Sequence, residues 1–241
     1  MRRAILSDVH SNLEALEAVL ESVAERGADS IICLGDMVGY GANPNEVVDT
    51  LRGLENVAVR GNHDHAANDP NLDSFFNRWG RAAIAWTRKV LTKENRDYLA
   101  ALPLTFAQGS VRLVHASPEE PASWRYILGA RGAGEQFDAF EEDLCLIGHS
   151  HVPLTIRSDA AGISEEHGNT VKLAEGARYI INVGSVGQPR DGDPRAAYGI
   201  YDDERSTIER VRVPYDHESA AGKIVEAGLP SFLADRLSRG E

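Results

Sequence analysis

Five short stretches of this chain set carboxylates, imidazoles and an amide directly after apolar runs. Asp8 and His10 follow RRAIL, Asp36 follows IICLG, and Asn62, His63 and Asp64 follow ENVAVRG. His115 follows VRLV, and His149 and His151 follow DLCLIG. Five of the eight histidines therefore fall in these five places. Two aspartates, an amide oxygen and several imidazoles make a mixed oxygen and nitrogen donor set. Such a set favours manganese, iron, zinc, nickel or cobalt over calcium or magnesium, and its lack of thiolates argues against a structural zinc knot. The donors are too many for one ion. A pair of ions about 3.5–4 Å apart, bridged by a carboxylate and a water, is the arrangement such sets build. A phosphate would find that pocket strongly positive even in a chain of formal charge −12.

The elements that must carry these residues are legible around them. Residues 2–6 read as a strand, and SNLEALEAVLESVAERG sets Leu13, Leu16, Val19, Leu20 and Val23 at helical spacing. Ser11 and Glu14 form the expected capping box of that helix, and Gly27 closes it. DSIICLGD is the second strand, NPNEVVDTLRG the second helix with Pro44 in its first turn, and ENVAVRGNHD the third strand with its exit loop. Strand–helix–strand–helix–strand predicts parallel strands covered by helices. Ligands of such sheets bind beyond the carboxyl ends of the strands, where all five stretches fall. The D-x-H and H-x-H spacings suit extended backbone, in which residues i and i+2 point the same way.

Residues 71–102 read as helical, with bulk from Phe75, Phe76, Trp79, Ile84, Trp86, Tyr98 and Leu99. Beyond Pro103 the expected strands are LTFAQGS, VRLVHAS, DLCLIGHSH, VPLTIRS, TVKLAEG, RYIINVGS and AAYGIYDDE, followed by one or two helices around 216–238. No repeat, low-complexity tract or linker divides the 241 residues, so one domain spanning 1–241 is expected.

Taken in order, D8-x-H10, G35-D36-x-x-G39, G61-N62-H63-D64, H115 and G148-H149-x-H151 resemble the full signature of the calcineurin-like metallophosphoesterases. Each block alone would be weak; the five together are specific, and the resemblance runs from residue 5 to about 190. GDMVGYGANPNEVV and NVGSVGQPRDGDPRAAYGIYD further resemble the small prokaryotic branch, whose members are phosphodiesterases or phosphatases. The resemblance implies an α/β (α+β) fold of two packed mixed β-sheets flanked by helices, a four-layer αββα sandwich. It implies two divalent transition-metal ions, manganese first, with iron, nickel, zinc or cobalt as alternatives. Asp8, His10 and His151 would hold the first ion, Asn62, His115 and His149 the second, and Asp36 would bridge them. His63 would stand over the substrate phosphate, steady the transition state and protonate the leaving alkoxide, while a bridging hydroxide attacks in line. The substrate implied is a small phosphorylated molecule, a nucleotide among the candidates.

Several readings stay open at this point. Tyr40 and Arg190 lie in segments bordering the site and serve either substrate binding or the surface. Asp64 either orients a ligand or the His63 ring, or is a solvated turn carboxylate. His65, His167 and His217 are left as surface or structural, and the aromatics of 75–86 as core or lid. The phosphoprotein phosphatases and their dinucleoside-tetraphosphatase relatives carry an Asp and an Arg just after the second-block aspartate. Here that place reads MVGYG, and the third block ends in Asp64 where those families have Glu, which disfavours protein phosphatase activity. Dinucleoside polyphosphate hydrolysis stays open through other contacts. A scaffold without turnover is the alternative from another class, but such members have lost the third-block histidine or several ligands, and all are present here.

The acidic balance argues against general nucleic-acid or anionic-membrane binding. MRRAILSDVH is interrupted by Asp8 too early for a signal peptide, and no apolar stretch approaches the roughly 20 residues of a membrane span. Cys33 and Cys145 lie inside apolar runs, as buried thiols of a cytoplasmic protein do.

Overall fold

The apolar runs ahead of the chemical stretches become the central strands of two sheets. The structure, a computed structural model, describes residues 1–54 and 56–241. In the first third, β1 (Arg2–Leu6), α1 (Leu13–Glu25), β2 (Ser30–Cys33), α2 (Pro44–Gly53) and β3 (Asn56–Ala58) follow in the expected order. Glu55, expected to open the third strand, lies outside the described residues. β1 runs parallel to β2, and β2 to β3.

The start of α1 differs from the expected capping box. Asn12 is the N-cap, its side-chain oxygen accepting the Ala15 N–H at 3.1 Å. Ser11 is held in the left-handed region, φ 55°, with its N–H donated to Met37 O, so it cannot take the cap geometry.

The helical expectation for 71–102 divides into pieces. A one-turn α3 (Asn62–Ala66) leads into a 3-10 turn over Pro70–Phe75, then α4 (Arg78–Val90) and α5 (Lys93–Ala101). Asn77 accepts the N–H groups of Trp79 and Gly80, and Thr92 accepts that of Asn95. Two N-caps inside the stretch break what the apolar content alone suggested was continuous.

The remaining elements are β4 (Thr105–Gln108), β5 (Val111–Val114), α6 (Gly134–Asp138), β6 (Leu144–Ile147), β7 (Leu154–Asp159), β8 (Gly162–Glu165), β9 (Thr170–Lys172), β10 (Arg178–Asn182), β11 (Ala196–Asp202), β12 (Thr207–Val213), α7 (His217–Glu226) and α8 (Ser231–Asp235). β8 and β12 were not among the expected strands. β8 is exposed throughout and, among the described residues, pairs only with β7, while β12 buries Ile208 and Val211, three apart, so neither alternates apolar with polar.

Among the described residues the strands form two six-stranded sheets, ordered β3-β2-β1-β11-β12-β9 and β4-β5-β6-β10-β7-β8. Both are mixed: β1 is antiparallel to β11, and β10 is parallel to β6 but antiparallel to β7. Alternation along the strands sorts the apolar residues into layers. Ile5, Ile32 and Leu34 meet Leu113, Leu146 and Ile181 between the sheets. Leu6, Ile31 and Cys33 face Leu16, Val19 and Val47 of α1 and α2, and Cys145, Ile147 and Ile180 face Phe137 and Phe140. The order is helices, sheet, sheet, helices, the fold class the sequence predicted. Cys33 and Cys145 are buried free thiols, and burial pushes Cys33 up to about 12.

Candidate metal centre

The site lies where β1, β2, β5 and β6 end and α3 begins. The chain turns sharply after β1, β2 and β6: Asp8, His10, Asp36, His149 and His151 have φ of 54°, 49°, 52°, 68° and 60°. The extended backbone inferred from the D-x-H and H-x-H spacings is therefore wrong, and tight left-handed turns set the side-chain directions. Such conformations persist where neighbouring structure over-determines them. Here Asp8 N–H donates to Gly35 O at 3.0 Å, His10 N–H to Asp36 O at 2.9 Å, and His149 N–H to the Asp8 carboxylate at 3.0 Å.

The turns bring all seven sequence-predicted ligand residues together. Donor atoms of Asp8, His10 and His151 lie within 4.8 Å of one another, and so do those of Asp36, His115 and His149. Asn62 Oδ1 stands 3.2 Å from His115 Nε2, beside the second group. Asp36 Oδ2 lies between the groups, 3.6 Å from His10 Nε2 and 3.3 Å from His115 Nε2. Asp8, His10, Asp36, His115 and His151 are all almost fully buried.

Each imidazole is oriented by a main-chain carbonyl, the support metal-binding histidines ordinarily have. His10 Nδ1 donates to Val38 O at 3.0 Å, His115 Nδ1 to Leu34 O at 2.7 Å, and His151 Nδ1 to Gln188 O at 2.6 Å. His149 is reversed, with Nε2 donating to Trp124 O at 3.0 Å. A carbonyl only accepts, so these bonds assign one proton to each ring and leave a lone pair on the opposite nitrogen of each ring that is neutral. His10 Nε2 and His151 Nε2 then face each other at 3.0 Å, with Asp8 Oδ1 3.3 Å from the latter. Lone pairs and carboxylate oxygens converging this closely repel unless cations lie among them. The donor set thus fits a pair of divalent ions with nitrogen and oxygen ligands.

The charge states agree with that crowding. Burial works against the Asp8 carboxylate, but His151 and His115 beside it hold its pKa well below the usual range. Burial likewise opposes charge on His115, yet Asp36 and Asp8 prevail and hold it up to about 9. His149 is pushed down to about 3 by burial and the neighbouring His115.

His63 borders the ligands without one of these carbonyl anchors. Its main-chain N–H donates to Asp36 Oδ1 at 2.8 Å, and its buried Nδ1 has no hydrogen-bond partner. The ring packs among His10, Tyr40 and Phe76, with centroids 4.5–4.7 Å away. Burial lowers it to about 4. Its donor atom also comes within 4.8 Å of those of His10 and Asp36. Asp64 is not solvated, and among the described residues its carboxylate makes no hydrogen bond to the His63 ring. Fully buried, it accepts the N–H groups of Met37 at 2.9 Å, Val38 at 3.2 Å and Gly61 at 3.0 Å, tying the second-block turn to the third. Burial and Asp36 raise it to about 7.

Tyr40 and Arg190 both border the site. They help to line a cavity of about 360 Å³ that also exposes Asp36, Asn62, His63 and His149. The Arg190 guanidinium lies 5.6 Å from the Tyr40 ring, whose centroid is 4.6 Å from that of His10. Sequence reasoning missed the Leu34, Val38, Trp124 and Gln188 carbonyls, which orient the imidazoles, and Arg236 on the cavity wall. The Gln188 side chain was within reach, two residues from Arg190 in GQPR, but the carbonyls and Arg236 carry no local signal. His65 is half-buried beside Trp124, and His167 and His217 join none of these donor groups.

Comparison with known proteins is consistent with this geometry. Residues 1–205 match the model of the calcineurin-like phosphoesterase superfamily domain. An uncharacterized protein of Methanocaldococcus jannaschii is 43% identical, over 98% of this chain and 97% of its own. Phosphodiesterase YfcE of Escherichia coli is 25% identical, over 85% of this chain and 89% of its own. The crystal structure of a metallophosphoesterase from Sphaerobacter thermophilus superposes with a TM-score of 0.89 at 42% identity, covering 100% of this chain and 99% of that one. A Pyrococcus horikoshii protein shares the fold at a TM-score of 0.80 and 20% identity, covering 100% of this chain and 98% of that one.

Two mixed sheets with this cluster at their strand ends define a metal-dependent phosphoesterase. The chain belongs to the calcineurin-like phosphoesterase superfamily. Among the described residues no helix is long and apolar enough to cross a membrane.

Proposed function

We propose that residues 1–241 act as one unit that hydrolyses small phosphoesters, diesters or monoesters, at two divalent ions, manganese first among them. The observation that carries this reading is the convergence of seven donor residues, four of which line one cavity together with His63 and the Arg190 cation. Bound there, the ions would supply charge to hold the phosphate and acidify a water near neutral pH. Asp8, His10 and His151 would hold one, Asn62, His115 and His149 the other, with Asp36 between them.

The chain's own residues do the rest. His63, anchored through its main-chain N–H on Asp36, packs its buried Nδ1 against Gly39, so Nε2 would be the nitrogen that meets the substrate. Burial keeps that ring neutral in the open pocket, and an arriving phosphate, being negative, raises its proton affinity. The ring then carries a proton to the leaving oxygen. Arg190 adds positive charge beside it, and Tyr40 packs against His10 and His63 to hold both rings. The relative named a phosphodiesterase favours diesters within this reading. The two free buried thiols favour a reducing cytoplasm.

The test is hydrolysis of nitrophenyl phosphate and bis-nitrophenyl phosphate by protein stripped of metal and reloaded with manganese. Turnover of either that vanishes with chelator is the expected result. Protein that binds two ions per chain yet turns over neither ester, nor any of a nucleotide panel, would sink the reading.

A further inference from the structure

Beyond the metal ligands, the cavity wall carries two cations set close together. Arg190 and Arg236 both line it, and among the described residues neither has a carboxylate within 4.0 Å. They are held together by one neutral acceptor: Gln188 Oε1 accepts from Arg190 at 2.8 Å and from Arg236 at 3.0 Å. Gln188 is buried, and its main-chain oxygen holds His151, so the pair is built onto the metal-site frame. The Nε–H of each guanidinium is buried without a partner.

Two guanidiniums brought against one amide oxygen repel each other. Burial and Arg190 together lower Arg236 to about 10, and Tyr40 and Glu241 offset this only in part. The surrounding structure nevertheless imposes the arrangement. Phe232 of α8 stacks on Trp79, and Leu233 and Leu237 pack into the apolar cluster beneath Tyr40. Gly240 O accepts the Gly192 N–H, docking the last residues onto the loop that carries Arg190. Arg236 lies beyond the residues that match the family model, which end at 205.

We propose that Arg190 and Arg236 form a subsite for a second phosphate of the substrate, next to the one at the metal centre. The proposal rests on the phosphoesterase reading above and deepens it: the natural substrate is a phosphoester bearing a further phosphate. Guanidinium pairs suit that ligand because their planar N–H groups match phosphate oxygens. The 360 Å³ cavity has room for two phosphates and part of an alcohol.

The test compares nitrophenyl esters of thymidine 5′-monophosphate, thymidine 5′-diphosphate and thymidine 3′,5′-bisphosphate at saturating manganese. The wild type is expected to favour one of the two doubly phosphorylated esters in kcat/KM, and which one reveals where the second phosphate sits. Arg236→Gln should reduce that preference on the order of tenfold, and Arg236→Lys should restore part of it. Gln188→Glu, nearly isosteric, places a negative charge between the guanidiniums and should also abolish the preference. If the monophosphate ester is turned over but neither extra phosphate helps, or the preference survives both Arg236→Gln and Gln188→Glu, the subsite is wrong. If no ester is turned over, the phosphoesterase reading itself fails.

Discussion

Gly39 and His63 fit together so closely that a β-carbon built on Gly39 would overlap His63 Nδ1 and stand 3.0 Å from its Cγ. Gly39 also has φ 93°, a conformation L-residues rarely adopt. The second-block turn thus shapes the seat of the third-block histidine. Gly39→Ala should keep the fold, cost about 1–2 kcal/mol in unfolding free energy, and displace His63. A displacement near 1 Å corresponds to a kcat loss on the order of 10²-fold. Urea unfolding and steady-state kinetics on bis-nitrophenyl phosphate would measure both; an alanine variant with full kcat would contradict the account.

His63 itself distinguishes two roles, since its donor atom comes near those of His10 and Asp36. If it carries the proton, His63→Ala should lower kcat by about 10²–10⁴-fold and still bind two manganese ions per chain. Metal content after gel filtration gives the count. A drop to one ion would make His63 a ligand.

Asp64 accepts three main-chain N–H groups, so its loss leaves three buried donors unpaired. Asp64→Ala should destabilise the manganese-loaded protein by at least about 1–3 kcal/mol. It should also weaken manganese binding, because Met37 and Val38 directly follow Asp36. Chemical denaturation with calorimetric titration would show the two effects together. Unchanged stability would mean that the turn holds without its carboxylate.

His115 predicts how metal binding responds to pH. Asp36 and Asp8 hold it up to about 9, so at pH 8 it is mostly protonated in protein stripped of metal. A ligand nitrogen must be free of its proton, so loading at pH 8 should release about one proton per chain from His115, besides the one from metal-bound water. The His115 share should raise apparent affinity by about tenfold per pH unit and end above about 9. The stability effect has the sign of a raised pKa. The protonated ring contributes fully below its ordinary value near 6.5, and that contribution is lost as pH rises through about 9. Titration calorimetry in two buffers of different ionisation enthalpy counts the proton. Zero release at pH 8 would show that His115 is already neutral.

The residues of the candidate centre and most of the central strands were legible in the sequence alone, because each is a local matter. An apolar run long enough for a buried strand followed at once by Asp, Asn or His can be read within ten residues, and five such blocks in order leave little ambiguity. The edge strand β8 and the irregular β12 escaped for the converse reason, since neither alternates apolar with polar. The tertiary structure alone decided how the centre is held. Main-chain carbonyls of Leu34, Val38, Trp124 and Gln188 orient the four imidazoles, and a carbonyl has no signature in residue type. Left-handed turns, rather than extended backbone, aim the ligands, because bonds between strand ends impose them. Arg236 reaches Gln188 across 48 residues, through apolar packing of the C-terminal helices that only the folded chain brings about.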